Sequence, residues 1–164
     1  MPTLDSLMSC HSHFSSIDPD TPGLPGSLSK NLLTGLLRNQ LGYDGVLMTD
    51  DLDMGAIVNT YGRGNDVKMS IEAGNDFAMI CHQVDSAEIA ANALKELPHI
   101  LIDDSLKRIE KLKKRIVRSP DFKHSLWDRY DQEIMQLRID TLGEERAKTT
   151  EDYSGEKRSP VEGY

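Results

Sequence analysis

Three aspartates follow one apolar run in the middle of the chain and are the residues best suited to chemistry. The run Gly45–Thr49 reads GVLMT, and Asp50, Asp51 and Asp53 come directly after it. Adjacent carboxylates at a partly buried strand end repel each other, which raises the pKa of at least one of them. Such a group can act as a nucleophile, a base or a metal ligand, whereas aspartates in turns also cap helices. The local pattern leaves both interpretations open.

Two histidines near the N-terminus form a second candidate site. His11 and His13 follow Cys10, and their side chains point to the same side of an extended segment. Without a convincing third ligand, we expect a hydrogen-bonded histidine lining a pocket rather than a metal site. The loop from Ser15 to Gly26, SSIDPDTPGLPG, is stiffened by its prolines. It is either a binding element or a surface excursion.

Three short apolar segments are predicted to be the strands that position these residues. They are Leu4–Cys10, Gly45–Thr49 and Phe77–Cys81. Their continuous apolar character is typical of parallel strands that are buried on both faces. Helical patterns alternate with them, so the sequence predicts an α/β fold with parallel strands. In such folds the functional residues collect at the carboxyl ends of the strands.

Four helices are predicted around and after these strands. They cover about 29–41, 66–73, 85–97 and the stretch after Asp103. Ser27 or Ser29 caps the first helix and Gly42 ends it. Asp85 and Glu88 have the spacing of a capping box for the third helix.

Composition excludes several classes of function. The chain has 164 residues with 19 basic and 27 acidic side chains, and its net charge of −8 argues against nucleic acid as a partner. It contains no apolar run of the ~18–20 residues that a membrane span needs, and no secretory signal is visible. Two cysteines, Cys10 and Cys81, make a poor zinc site and no disulfide framework. We therefore expect the two cysteines to be small buried side chains. We also expect a cytoplasmic location and no cofactor.

Four segments together resemble one enzyme family. They are LDSLMSCHSHFSSID, PGSLS, LLRNQLGYDGVLMTDDLDMGAI and IEAGNDFAMI, starting at Leu4, Pro25, Leu36 and Ile71. The third is the most specific, because it is similar to a signature Leu-Arg-x-x-Leu-Gly-Phe-x-Gly-Val-x-x-Ser/Thr-Asp-Asp-Leu-x-Met-x-Ala. This signature is that of glycoside hydrolase family 3, in its bacterial β-N-acetylhexosaminidase branch. The resemblance covers about residues 4–118.

The resemblance implies roles for individual residues. The first aspartate of the signature is the nucleophile of a retaining glycosidase, and it falls on Asp50. Asp51 and Met54 would lie beside the sugar as substrate-binding residues, and no metal is implied. The substrate would be a saccharide that contains N-acetylglucosamine or another β-glycoside. Asp53 is expected to be an ordinary turn carboxylate whose replacement by asparagine has little effect.

The resemblance also implies a domain organisation. Residues 1–118 would form part of a (β/α)₈ TIM barrel, its strands six to eight. Beyond the resemblance, a further helical pattern in the sequence itself predicts a C-terminal helix over 119–142. Residues 143–164 are rich in charge and poor in apolar side chains, which predicts a disordered tail.

The departures from the family lead to alternatives. The acid/base of this branch is a His–Asp dyad on a loop that precedes the four segments, so the chain is expected to be a fragment or a split member that contributes the nucleophile. The alternative is a non-catalytic remnant, a half-barrel that binds a complementary half or associates with itself through open sheet edges. A weaker alternative is a metal site built on Asp50, Asp51 and Asp53.

Overall fold

The described part of the chain forms two compact units. A computed structural model describes residues 4–117 and 121–148. Among these residues the first unit extends to Ile116 and the second begins at Val117. No helix within the two described ranges is long and apolar enough to cross a membrane.

A three-stranded parallel sheet is the centre of the first unit. Its strands are β1 (Ser6–Ser9), β2 (Val46–Asp51) and β3 (Phe77–Met79), in the spatial order β1-β2-β3. Met8 pairs with Met48, which pairs in turn with Phe77, and the register shifts between Met48 and Asp51. The three predicted strands and the α/β class with parallel strands are therefore confirmed.

Helices follow each strand. A 3₁₀ turn (Gly26–Leu28) and a π-helix (Asn31–Gln40) follow β1, and α1 (Gly55–Tyr61) and α2 (Asn65–Ala73) follow β2. A second 3₁₀ turn (Val84–Ser86), α3 (Ala87–Leu94) and α4 (His99–Lys113) follow β3. Helix α1 was not among the predicted helices, and α4 begins four residues before Asp103. Pro98 stands directly before α4, where the absence of a proline N–H costs no hydrogen bond.

The helix starts show which capping predictions hold. The hydroxyl of Ser29 accepts the Leu32 N–H at 3.0 Å, so the predicted cap is confirmed. The helix that follows is wound wider than the predicted α-helix, since the Leu41 N–H reaches back five residues to the Leu36 carbonyl at 2.9 Å. The capping box at Asp85 is wrong. A 3₁₀ turn precedes α3, and Ser86 at its start makes no side-chain cap.

Two apolar clusters connect the sheet to its helices. Leu47 packs with Leu33, Tyr43 and Ala73 in the first, and Leu52 with Ile57, Val67 and Ala90 in the second. The opposite face of the sheet is more open, because 63% of Met8 and 39% of Phe77 is exposed. The expectation that the strands are buried on both faces is therefore wrong for the described residues, since these clusters cover the face that carries Leu7 and Leu47.

A buried carboxylate joins four elements at the amino end of the sheet. Asp76, directly before β3, accepts the Leu47 N–H at 2.9 Å and pairs with Arg38 of the π-helix at 2.9 Å. Its other oxygen accepts a hydrogen bond from Arg108 of α4 at 2.9 Å. Neighbouring Asn75 is also buried and donates to the carbonyls of Ser27 and Ser70, both at 2.8 Å. These contacts fix the helices to the sheet.

Among the residues that the structure describes, the second unit contains two helices. Helix α5 (His124–Leu142) is followed at once by the short helix α6 (Glu144–Lys148), where Ala147 is 1% exposed. Gly143 makes the turn between them with a φ of 82°. Helix α5 lies in the region predicted as 119–142. Helix α6 occupies the start of the segment predicted to be disordered, and residues 149–164 of that segment lie outside the described residues.

Candidate active site

The carboxyl edge of the sheet brings most of the predicted residues together. Asp50 and Asp51 end β2, and Cys10 and His11 come directly after β1. The segment after β3 contributes Cys81 and His82 on the other side of β2. Because the strands are parallel and adjacent, these three chain segments leave the sheet at the same edge.

Asp50 has one carboxylate oxygen engaged and one available. Oδ1 accepts the backbone N–H of Asp51 at 2.8 Å, and the side chain is half-buried. Among the residues in the two described ranges, no hydrogen-bond donor contacts Oδ2. Strand alternation places Asp50 on the sheet face of Met48, which is the more open face. One oxygen therefore orients the carboxylate and the other can contact a ligand.

Asp51 is held by three donors. Its Oδ1 accepts the N–H groups of Asp53 at 3.0 Å and Cys81 at 3.2 Å, and its Oδ2 lies 2.7 Å from Nδ1 of His82. Burial raises the pKa of Asp51, but these hydrogen bonds outweigh it, so the pKa lies below its ordinary value. The carboxylate stays ionised and ties the end of β2 to the segment after β3.

Asp53 is fully buried and ion-paired, which corrects its expected role as an ordinary turn carboxylate. Its Oδ1 contacts Nη2 of Arg63, and its Oδ2 accepts the N–H groups of His82 and Gln83, both at 2.7 Å. The side chains of Asp53 and Arg63 are 0% and 7% exposed. The local pattern could not show this, because the three partners lie ten to thirty residues further along the chain.

A second buried carboxylate completes the ion cluster. Nη1 of Arg63 lies 2.9 Å from Oδ2 of Asp66. Neither atom has a hydrogen-bond partner within the described ranges, so the contact is Coulombic rather than a well-aligned hydrogen bond. Burial raises the pKa of Asp66 despite the opposing effect of the Arg63 guanidinium. Asp53 is therefore the main ion-pair and hydrogen-bond partner of Arg63.

His11 joins two backbone segments instead of lining an open metal site. Its Nε2 lies 2.9 Å from the Asp51 carbonyl, and its Nδ1 lies 2.7 Å from the Ser27 hydroxyl. Because a carbonyl only accepts, Nε2 carries the hydrogen and Nδ1 of the neutral ring accepts from Ser27. The expectation that His11 is hydrogen-bonded is confirmed. His13 is exposed and its Nδ1 contacts the Leu24 carbonyl at 3.1 Å.

One group of side chains has metal-ligand composition, although its atoms are already engaged. Atoms of Asp51, Asp53 and His82 lie within 4.8 Å of one another. Each of these carboxylate oxygens accepts a hydrogen bond, and the Arg63 cation occupies the far side of Asp53. A divalent cation would have to displace these donors beside a positive charge. The group does not include Asp50, which the weaker metal alternative required.

The expectation that both cysteines are buried is wrong. Cys10 and Cys81 are free and exposed. Cys10 directly follows β1 and Cys81 stands two residues after the end of β3, and neither side chain belongs to the two apolar clusters. Partial desolvation and the Asp51 carboxylate raise the pKa of the Cys81 thiol, so the neutral thiol is favoured.

Two functional candidates were not found from the sequence, namely His82 and Arg63. A signal for His82 existed, because it follows a predicted strand at the edge where function collects. Arg63 lies between α1 and α2 and gave no local signal, because its importance comes only from the buried carboxylates that it contacts. Met54 stands at the start of α1 and is half-buried.

Comparison with known proteins shows which enzyme family this chain resembles. Residues 2–112 match the family model of the glycosyl hydrolase family 3 N-terminal domain. A β-hexosaminidase from Pseudomonas aeruginosa is 33% identical over 94 residues, which are 57% of this chain and 27% of the relative. A β-hexosaminidase from Chromobacterium violaceum is 29% identical over 126 residues, 73% of this chain and 34% of the relative.

A solved structure shows the same likeness in three dimensions. The family 3 β-N-acetylglucosaminidase from Paenibacillus sp. str. FPU-7 superposes with a TM-score of 0.66 at 34% identity, over 73% of this chain and 24% of that protein. The chain thus spans about a quarter to a third of the length of these relatives. The family match covers well over half of the chain itself, and the chain belongs to glycosyl hydrolase family 3.

Proposed function

We propose that this chain supplies the nucleophile of a retaining β-N-acetylhexosaminidase and that Asp50 is that nucleophile. The observation that carries the proposal is the difference between the three aspartates. Asp51 and Asp53 have both oxygens engaged by donors, whereas Asp50 keeps Oδ2 available on the open face of the sheet. A nucleophile needs an accessible, ionised oxygen.

The chemistry that follows is a double displacement. Oδ2 of Asp50 attacks the anomeric carbon, the bond to the leaving oxygen breaks, and an acid protonates that oxygen. Water, deprotonated by the same group, then attacks the anomeric carbon and releases the Asp50 carboxylate. The relatives named β-hexosaminidase support a hexosamine as the sugar, and the solved β-N-acetylglucosaminidase supports an N-acetylated one. Asp51 and Met54 as substrate-binding residues remain part of the proposal.

The proposal includes further barrel strands around this sheet. Both β1 and β3 are edge strands among the described residues, and Met8 and Phe77 leave an apolar face open. Exposed parallel edges next to such a face favour pairing with more strands. A complementary barrel half, in the same polypeptide or another chain, would close the site. The same observations favour the second candidate, a non-catalytic half-barrel that binds such a partner.

Covalent trapping tests the nucleophile. The full chain, alone and mixed with the remaining barrel segment of the Pseudomonas relative, is treated with a 5-fluoro N-acetylglucosaminyl fluoride. We expect a glycosyl ester that peptide mass spectrometry places on Asp50. Hydrolysis of 4-nitrophenyl N-acetyl-β-glucosaminide should fall about 10⁴-fold or more in Asp50→Asn, the scale of losing a nucleophile.

A matched control accompanies this test. Asp103→Asn changes an exposed aspartate of α4 in the same way, and it should keep full turnover. Labelling at a residue other than Asp50, or full turnover in Asp50→Asn, would contradict the proposed role. A tight complex without labelling or turnover would favour the non-catalytic half-barrel.

A further inference from the structure

The second unit leaves one face of α5 uncovered among its described residues. Large apolar side chains on this face are each more than half exposed, namely Trp127, Tyr130, Ile134 and Leu137. Successive members are three or four residues apart, so they lie in one row along the helix. Together with Thr141, one turn further on, they form the α5 stripe. A continuous row of exposed apolar side chains indicates a surface that binds a partner.

The spacing of the α5 stripe is that of a two-stranded coiled coil. Intervals of three and four residues alternate along it, which is the heptad pattern of helices that wind around each other. Trp127, Ile134 and Thr141 occupy the a positions of this pattern, and Tyr130 and Leu137 occupy the d positions. The stripe therefore fits another helix better than it fits a flat protein surface.

The charges beside the stripe favour a parallel pair of identical helices. Glu133 occupies a g position and Arg138 the e position of the next heptad. In a parallel pair these two positions face each other, so Glu133 of each copy would meet Arg138 of the other. Within its own helix Glu133 lies 3.4 Å from Arg129, an exposed pair that contributes little and can be exchanged.

An antiparallel pair is less favourable for the same charges. In that arrangement g positions face g positions, and the g positions after the first turn of α5 are Glu133 and Asp140. Acidic side chains of the two copies would then meet, and like charges repel. The flanking charges thus select the parallel orientation.

The area of the stripe is sufficient for a weak specific interface. Because a large side chain has roughly 150–250 Å² of surface, the exposed part of the stripe and of bordering Leu126 amounts to roughly 400–700 Å² per helix. Pairing of two copies would remove about 800–1,400 Å² from water, a range that includes the ~1,000 Å² of a specific interface. We therefore expect a dissociation constant that is micromolar or weaker.

The charge of α5 argues against a lipid surface as the occupant. The helix has four acidic and two basic side chains in addition to His124. Helices that lie on membranes instead carry mainly lysine and arginine on their polar face. A helix with the same apolar row and with complementary flanking charges meets the requirements, and a second copy of this chain supplies one.

We propose that α5 binds α5 of a second copy of this chain in a short parallel coiled coil. The proposal goes beyond the proposed function and does not depend on it, because α5 lies outside residues 2–112 that match the family. It also differs from association through the open sheet edges, since it needs none of the strands. The second unit is thereby a dimerisation element joined to a glycosidase domain.

Sedimentation equilibrium of the full chain tests the stripe. We expect monomer and dimer in an equilibrium that shifts towards the dimer as the concentration rises. Ile134→Glu places a charge in the apolar row and should weaken dimerisation about tenfold or more. Gln132→Glu introduces the same side chain on the opposite face of α5 and should match the unaltered chain. A chain that stays monomeric at all concentrations, or equal dimerisation of the two variants, would overturn the proposal.

Exchange of the flanking charges leaves the apolar row intact and tests the pairing. Glu133→Arg and Arg138→Glu should each dimerise about tenfold more weakly, because like charges then meet at both contacts between the helices. A mixture of these two variants should recover the dimer, since every contact then joins an arginine to a glutamate. Equal dimerisation of each single variant and of the mixture would exclude the parallel pair.

Disulfide formation reads the orientation directly. In a chain with Cys10→Ser and Cys81→Ser, Thr141→Cys should cross-link two copies in oxidised glutathione, because equivalent a positions meet in a parallel pair. Gln132→Cys on the opposite face is the control and should not cross-link. Absence of the Thr141→Cys cross-link would contradict the proposal. Binding of monomers to phosphatidylcholine–phosphatidylserine vesicles without dimer formation would assign the stripe to a lipid surface instead.

Discussion

The ion pair between Asp53 and Arg63 allows a quantitative test of how the carboxyl edge is held together. Asp53→Asn keeps the side-chain volume but removes one of the two charges. Arg63, 7% exposed, would then face only Asp66, with which it makes no aligned hydrogen bond. The asparagine NH₂ group would also point either at Arg63 or at the N–H groups of His82 and Gln83, where it meets donors instead of acceptors.

The magnitude follows from these contacts. Removing one partner of a buried ion pair costs about 3–5 kcal/mol, and a buried donor without a partner about 1–3 kcal/mol. The two costs overlap, and Asp66 still offers a counter-charge, so we expect a loss of about 3 kcal/mol at the lower end of the first range. With a urea m-value of about 1.5–2 kcal/mol/M, the midpoint of unfolding should fall by about 1.5–2 M.

Urea titration of the full chain, followed by far-UV circular dichroism, measures this shift. Asp103→Asn is the control and should unfold with the unaltered chain. The double variant Asp53→Asn with Arg63→Gln should be less destabilised than the sum of the two single variants, because the second change removes the uncompensated charge. A midpoint for Asp53→Asn within error of Asp103→Asn would refute the reasoning from buried charge.

Three further predictions concern other parts of the chain. Asp51 has a lowered pKa in the folded state, so its ionised form stabilises the fold above the unfolded pKa of about 3.8. In urea titrations, the unaltered chain should therefore be more stable than Asp51→Asn above about pH 4, and this difference should shrink as the pH falls below about 4. Gly45→Ala should cost about 1–3 kcal/mol, because a Cβ there would lie 2.8 Å from the Leu4 carbonyl oxygen; calorimetry should show a lower melting temperature, and an unchanged one would contradict the packing. Deletion of residues 149–164, which the sequence predicts to be disordered, should leave the melting temperature unchanged, and a clear decrease would contradict that prediction.

The sequence was sufficient for the sheet and for the position of Asp50. Continuous apolar runs bounded by turn residues identify the strands, and a parallel sheet places its functional residues at the carboxyl ends. That reasoning needs only local pattern and general topology. The same reasoning indicates the whole edge as the place to search, including the segment after β3.

The contacts that distinguish the three aspartates could not be predicted. Whether Asp53 is a turn carboxylate or a buried ion depends on Arg63 and on two N–H groups beyond β3. The exposure of Cys10 and Cys81 likewise depends on where the strands end, which apolar pattern places only within a few residues. A single sequence predicts least well which distant residues pair with one another and at which residue a strand or helix ends.

The Asp76 contacts have a consequence for how this chain can be altered. The carboxylate that joins β2, β3, the π-helix and α4 lies at the amino end of the sheet, whereas Asp50, His82 and both cysteines lie at the opposite end. The scaffold contacts that Asp76 makes are thereby separated from the residues of the proposed site. A library that randomises exposed positions after β1 and β3, with Asp53 and Asp76 retained, should therefore yield many folded variants.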